Sequence, residues 1–247
     1  MKRIAFLLMA TCLLTSCVSI VETTKRAPKE VQQRSLKGFE RIRLMGSPTV
    51  YYAQADTFSV SVKAPKEIFD NIITEVNDGS LEIKTENHGD IFMRFDEVEV
   101  HVTSPDLVEV SLVGSGDFMS KYLVDTDQLL VTLKGSGDVT FADIICDRIT
   151  TSLVGSGDMK IEHVKALRSD VELVGSGDLE IAHEQVAATQ IVLKGSGDVA
   201  ATFDRCGAVA ADLRGSGSIA LSGTVSSLEQ NTLGSGEIET NRLQIVK

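Results

Sequence analysis

Seven serines stand between two glycines in the C-terminal half of this chain, and their hydroxyls are the first candidates for chemistry. A serine nucleophile needs one base beside it that the other serines lack, and here every serine has nearly the same neighbours. The repetition therefore favours turn structure or repeated weak binding over catalysis. The candidate ligand-binding serines are Ser115, Ser136, Ser156, Ser176, Ser196, Ser216 and Ser235.

An aspartate follows each of the first five motifs, and a line of carboxylates could bind either cations or turn amides. Calcium prefers such oxygens, although the Gly-Gly-x-Gly-x-Asp core of calcium-binding β-helix repeats is absent. The alternative is that each aspartate accepts hydrogen bonds from turn amides. Calcium therefore stays a candidate ion beside that simpler structural role. The aspartates are Asp117, Asp138, Asp158, Asp178 and Asp198, with Ser218 and Glu237 at the last two motifs.

A second candidate metal site consists of Asp143, His163 and His183, each eight residues past the first glycine of its motif. If coils stack in register, these side chains lie in one column, and an Asp-His-His stack could hold a transition metal. No fourth ligand is evident. The favoured alternative is a pair of partly buried or corner histidines.

The spacing of the motifs predicts the fold that positions these side chains. Successive motifs are 21, 20, 20, 20, 20 and 19 residues apart, and leucine stands two residues before six of them. After each motif apolar and variable residues alternate, which is typical of half-buried strands. We therefore expect an all-β fold: a single-stranded parallel β-helix, or solenoid, of about 20 residues per coil. Leu233 directly precedes Gly234, which places the residue lost from the last repeat there.

The remaining chain divides into three segments ahead of the β-helix of residues 105–247. Residues 35–104 lack the repeat but are rich in strand patterns, including a turn signal at Asn77-Asp78-Gly79-Ser80, and we expect them to cap the stack. Residues 1–16 form a secretory signal peptide with Lys2 and Arg3 before a short apolar stretch. Residues 17–34 are polar and form a tether.

Cys17 follows Leu14-Thr15-Ser16, a pattern that resembles a bacterial lipobox with the cysteine as the lipidated residue. The lipid would anchor the chain in a membrane of the cell envelope, with the outer membrane as the default and the cell surface as one of its two faces. Cys146 and Cys206 share one column three coils apart, too far for a disulfide, so we expect both to be small buried residues.

The composition and charge of the chain limit the classes of partner that it could bind. The formal net charge is -11, which argues against nucleic acid and against electrostatic binding to anionic membranes. The chain has no tryptophan and three tyrosines, so platforms for stacking sugars are scarce. A ladder of small polar turns could still engage an extracellular polymer, a glycan or a protein through many weak contacts.

The chain resembles the bacterial family called putative auto-transporter adhesin, head GIN domain, over about residues 39–239. The resemblance lies in Phe39-Glu40-Arg41-Ile42, in residues 77–83 and in the Leu-x-Gly-Ser-Gly-Asp repeats. It implies a parallel β-helix with a β-rich N-terminal region, often on Bacteroidetes lipoproteins, and a role in cell adhesion. We expect a non-enzymatic envelope lipoprotein. The alternatives are a periplasm-facing structural or regulatory scaffold and a polysaccharide-active β-helix enzyme.

Overall fold

The structure is a computed structural model that describes residues 28–86 and 97–246, and almost all of this part of the chain is β-strand. The first strands are β1 (Lys29–Arg34), β2 (Arg41–Gly46), β3 (Thr49–Gln54), β4 (Ser59–Pro65), β5 (Ile72–Asn77), β6 (Ser80–Thr85), β7 (Glu99–Ser104), β8 (Glu109–Gly114) and β9 (Asp117–Asp125). They are followed by β10 (Gln128–Gly135), β11 (Asp138–Ile145), β12 (Arg148–Gly155), β13 (Asp158–Lys165), β14 (Arg168–Gly175), β15 (Asp178–Glu184), β16 (Ala188–Gly195), β17 (Asp198–Gly215), β18 (Ser218–Gly234) and β19 (Glu237–Ile245). A short 3₁₀ helix spans Lys66–Asn71, and no helix among the described residues is long and apolar enough to cross a membrane.

Each coil contributes one strand on either side of its Gly-Ser-Gly turn. The strands that enter the turns form a first wall, in which β8, β10, β12, β14 and β16 pair in parallel. The strands that leave the turns form a second wall of β9, β11, β13 and β15. β17 and β18 run through a corner and belong to both walls. This confirms the predicted all-β parallel solenoid.

The core consists of columns of apolar side chains that stack from coil to coil. The leucine two residues before each of the first six motifs pairs with its equivalent on the next coil, and all six are fully buried. Burial of each leucine contributes on the order of 2 kcal/mol. Cys146 and Cys206 are free and buried in the same interior, as the sequence predicts.

The stack begins earlier than the repeats indicate. β2 pairs in parallel with β8, and β3 pairs in parallel with β9, so these strands form a coil within the segment that sequence reasoning assigned to a separate N-terminal region. β6 and β7 extend the two walls by one further strand each. β5 lies antiparallel to β6 and β4 antiparallel to β7, which covers most of the outer edge.

The structure also corrects the end of the expected tether. Residues 29–34 are not a free linker, because β1 pairs antiparallel with β4 through all six of its residues. Lys29 donates to Glu99 at 2.8 Å and ties this strand to β7 as well. The polar composition misled the prediction because an edge strand with both faces near solvent carries few apolar residues.

The second wall bends at a corner, where two successive residues point outward. In β11 these are Ala142 and Asp143, after which Ile144 is buried again. β9 places one residue more at this corner, because Lys121 and Tyr122 stand opposite Ala142 alone. This extra residue accounts for the first spacing of 21.

The last coil is short past this corner, opposite the outward pair Asp204 and Arg205 of β17, and not at Leu233. Gly223 pairs with Phe203 and Val225 pairs with Cys206, so Thr224 alone stands opposite two residues of β17. Beyond the corner the register is regular, and Leu233 takes an outward position with 69% exposure. A loss in a wall would have turned every later side chain to the opposite face, whereas a corner absorbs it.

The turns bring backbone against backbone. At Gly155, with φ +141°, an added Cβ would overlap the carbonyl oxygen of Gly135 on the coil before. That carbonyl accepts hydrogen bonds from the N–H groups of Ser156 at 2.9 Å and Gly157 at 3.2 Å. Because the same overlap recurs at each motif, the glycines are required by the close stacking of the turns.

We expect Gly155→Ala to lower the free energy of unfolding by at least about 3 kcal/mol, since both the positive φ and the overlap penalise a side chain. Ser156→Ala is the matched control in the same turn and should change stability by less than about 0.5 kcal/mol, because its side chain is exposed. Urea unfolding followed by circular dichroism measures both. Equal stabilities of the two variants would contradict this explanation of the glycines.

Candidate functional site

The seven motif serines lie on one line at the surface of the stack, where the first wall turns into the second. All seven side chains are exposed, and none of their hydroxyls has a hydrogen-bond partner within residues 28–86 and 97–246. Neighbouring strands are about 4.8 Å apart, so the line is roughly 30 Å long. We call these seven residues the serine ladder, and it can offer the same donor and acceptor group once per coil.

The aspartates beside the serine ladder serve the turns. Asp158 accepts from the N–H of Asp178 at 3.3 Å, and Asp198 accepts from the N–H and hydroxyl of Ser218 at 3.1 and 2.8 Å. Burial, with the nearby charge of Asp117 as a second cause, raises the pKa of Asp138 above its ordinary value. The described residues contain no group of three His, Cys, Asp or Glu side chains placed to hold a metal ion. The hydrogen bonds match the structural reading of the aspartates.

The structure does not bring Asp143, His163 and His183 together. Asp143 and His163 are paired neighbours at the outward corner. β15 has one residue fewer at this corner, so His183 pairs with Val164 and takes its inward position. Because side chains alternate between faces, a slip of one residue sends this histidine into the core, where it is 2% exposed.

Inside the core, His183 forms a polar pair that the sequence analysis missed. Its Nε2 lies 2.9 Å from the hydroxyl oxygen of Ser169, and its ring stacks on Phe203 at 5.0 Å. A serine beside a histidine is the arrangement of a nucleophile and its base. Ser169 is fully buried, however, so this pair has no access to a substrate, and it gives the Ser169 hydroxyl and the Nε2 of His183 a partner inside the fold.

An eighth turn, which the sequence analysis missed, continues the line of the seven motifs at its N-terminal end. Gly46-Ser47-Pro48 stacks directly before the first motif, and the carbonyl of Gly46 accepts the N–H groups of Ser115 and Gly116 at 3.1 and 2.9 Å. Asp117 donates its N–H to the carbonyl of Pro48 at 3.1 Å. The signal was Leu44-Met45-Gly46-Ser47 before Val50, which matches the repeat except for its proline and its distance from the regular period.

Fold and site together define a parallel β-solenoid that presents a repeated polar turn along one line of its surface. The chain belongs to the family described as putative auto-transporter adhesin, head GIN domain, which matches residues 38–204 and 169–247. The comparison with curated proteins found no match.

Solved structures from Bacteroides and Parabacteroides species share this fold. A putative adhesin from Bacteroides fragilis has a TM-score of 0.79 and 24% identity, with 85% of this chain and 96% of that chain covered. A putative adhesin from Parabacteroides distasonis has a TM-score of 0.73, 19% identity and coverage of 86% and 97%. A protein from the same organism described as a putative lipid binding protein has a TM-score of 0.67, 21% identity and coverage of 86% and 96%. At these identities the likeness concerns the fold.

Burial lowers the pKa of His183 from 6.5 to about 4, against a smaller opposing effect of the Thr202 backbone. Between these two values the unfolded chain binds a proton at this imidazole and the folded chain does not. The histidine therefore contributes stability at neutral pH that is lost as the pH falls from about 6.5 to about 4, by about 3 kcal/mol in total.

We expect His183→Gln to remove this part of the pH dependence, while His163→Gln, on the exposed corner of the preceding coil, should leave it unchanged. The measurement is the free energy of unfolding in urea at pH 7, 5.5 and 4 for the wild type and both variants. A wild type and a His183 variant that lose stability in parallel would contradict the assignment.

Proposed function

We propose that this protein is a non-enzymatic adhesin of the bacterial cell envelope that contacts its partner through the serine ladder. The family supports the adhesive role in general terms. The more specific assignment to the serine ladder depends on one observation: the fold accounts for the glycines of each motif but not for the serine between them.

The contrast between glycine and serine carries the proposal. Each glycine packs backbone against backbone and has no room for a side chain. The serine between them points to solvent, and its hydroxyl bonds to nothing in the described part of the chain. Many polar residues would satisfy an exposed turn position, yet serine occupies it in all seven motifs. A function outside the fold explains that choice.

The dimensions of the serine ladder favour an extended partner. A single exposed hydroxyl contributes little net binding free energy, on the order of 1 kcal/mol. When a polymer contacts one serine of the ladder, its contacts with the next serines become intramolecular. Its avidity therefore rises steeply without any deep pocket. The partner class that fits is a repetitive extracellular polymer such as a glycan.

Envelope anchorage completes the proposal. Cys17 and the preceding signal peptide lie outside the described residues, so their support comes from the sequence alone. A lipid on Cys17 would hold the solenoid by its N-terminal end, where β1 and the antiparallel strands lie. The serine ladder would then extend away from the membrane.

Replacing four serines of the serine ladder by alanine should weaken adhesion without unfolding the protein. We expect cells that carry Ser136→Ala, Ser156→Ala, Ser176→Ala and Ser196→Ala together to adhere to immobilised mucin at least about tenfold less than wild-type cells. The matched control is Thr132→Ala with Ser152→Ala, hydroxyl residues on the outward side of the first wall in the same coils. Wild-type adhesion by the four-serine variant at equal surface amount would contradict a role of the serine ladder.

A second experiment tests whether the protein is exposed on the cell surface. We expect protease added to intact cells to cleave the protein, with lysed cells as the control for total accessibility. Protection until lysis would place the solenoid in the periplasm. That result would contradict the adhesin proposal and favour the alternative of a scaffold for envelope partners.

A further inference from the structure

All three tyrosines border an open cavity of about 220 Å³ on the second wall, near the capped end of the stack, and two of them point outward there. Tyr51 comes from β3, and Tyr122 comes from the β9 corner that holds one extra residue. The third tyrosine, Tyr52, points into the core and hydrogen-bonds to Ser104. The fold therefore gathers both outward tyrosines in one place, which neither the repeat nor the composition predicts.

The cavity offers a flat apolar surface. Tyr51 and His101 are paired neighbours whose rings stack with centroids 5.0 Å apart and planes at 16°. Met119 lies on the other side of Tyr51 in the same outward column. Tyr122 is 68% exposed, which is a large free area for an aromatic side chain. Such rings stack on the apolar faces of other rings.

The extra residue is held in place and not merely tolerated. The hydroxyl of Ser120, itself buried, donates to the carbonyl of Tyr122 at 3.2 Å. On the far side, the Gln54 side chain donates to the carbonyl of Asp125 at 2.8 Å and accepts its N–H at 2.7 Å. A bulge fixed at both ends presents its side chains in one arrangement, which lowers the entropic cost of binding.

The cavity carries a positive side chain, whereas the whole chain has a negative net charge. Lys121 lies with its Nζ 6.0 Å from the Tyr51 ring centroid, and it has no salt bridge within residues 28–86 and 97–246. No aspartate or glutamate lines the cavity. Glu99, close to His101 at 3.7 Å, is already held by Lys29 and Lys63. A protein with net charge -11 thus keeps one uncompensated cation beside its exposed aromatic rings.

We propose that this cavity binds a sugar ring that carries a carboxylate, a uronic acid residue of an acidic polysaccharide. The apolar face of the ring would stack on Tyr122 and Tyr51, and its carboxylate would pair with Lys121. Stacking and charge pairing on one small ring need this combination of groups, and the cavity has room for about one ring. The site is separate from the serine ladder, and it adds selectivity for acidic polymers to an adhesive surface.

The test uses trigalacturonate and its neutral counterpart galactotriose as probes of the full-length mature protein. Calorimetry should show binding of trigalacturonate that weakens in 1 M salt, and galactotriose should bind at least about fivefold more weakly. Because the chain has no tryptophan and only three tyrosines, tyrosine fluorescence should change on binding, and two of the three emitters are the outward tyrosines of the cavity. Tyr122→Ala and Lys121→Gln should each weaken trigalacturonate binding about fivefold or more.

Controls separate this site from the rest of the surface. Leu167→Ala and Lys134→Gln remove an exposed apolar and an exposed basic side chain elsewhere on the coils and should leave affinity unchanged. The variant with four serines replaced should also bind trigalacturonate normally, so failure of the serine ladder would not imply failure of this site. No binding of trigalacturonate at millimolar concentration, equal binding of galactotriose, or wild-type affinity in either cavity variant would overturn the proposal.

Discussion

The close approach of one turn backbone to the next is the constraint on which the whole molecule depends. At five of the seven motifs the first glycine carbonyl receives two N–H groups from the coil that follows, in the space that a Cβ would otherwise fill. This contact fixes the register of both walls, because the strands of the first wall end at the first glycine of a turn and those of the second wall begin directly after the second glycine. The core columns follow from the register, since equal offsets from a glycine then stack on one another.

A second constraint explains every departure from the repeat. Side chains alternate between core and solvent, so a residue gained or lost within a wall would reverse all that follow. The stack therefore takes up changes of length at or just past the corner of the second wall. At the corner β9 gains a residue and exposes Tyr122, and β15 loses one and buries His183, while β18 lacks a residue opposite Asp204 and Arg205 of β17. One rule thus produces both an exposed aromatic ring and a buried imidazole.

These two constraints also mark the limits of prediction from the sequence. The leucine columns, the buried cysteines and the position of the serines were predictable because each lies at a constant offset from a glycine. The inward position of His183 was not predictable, because the residue missing from β15 lies at a corner that no glycine marks. The turn at Gly46 carried a readable pattern but lay outside the regular period. Tyr51, His101 and Tyr122 are distant in sequence, and only the pairing of β3 with β7 and β9 brings them together.

Regular and irregular coils suit different kinds of recognition. A surface built from equal turns offers the same weak contact at each step, so it can hold a long partner but cannot distinguish one segment of it from another. A selective pocket needs side chains that occur once, and in a solenoid these arise where the repeat is broken. The coil with the extra residue meets this requirement, because it lies between the irregular N-terminal strands and the first regular coils. If both proposals hold, the corner residue that interrupts the repeat gives the surface a place for chemical selectivity near the capped end, while the serine ladder provides length.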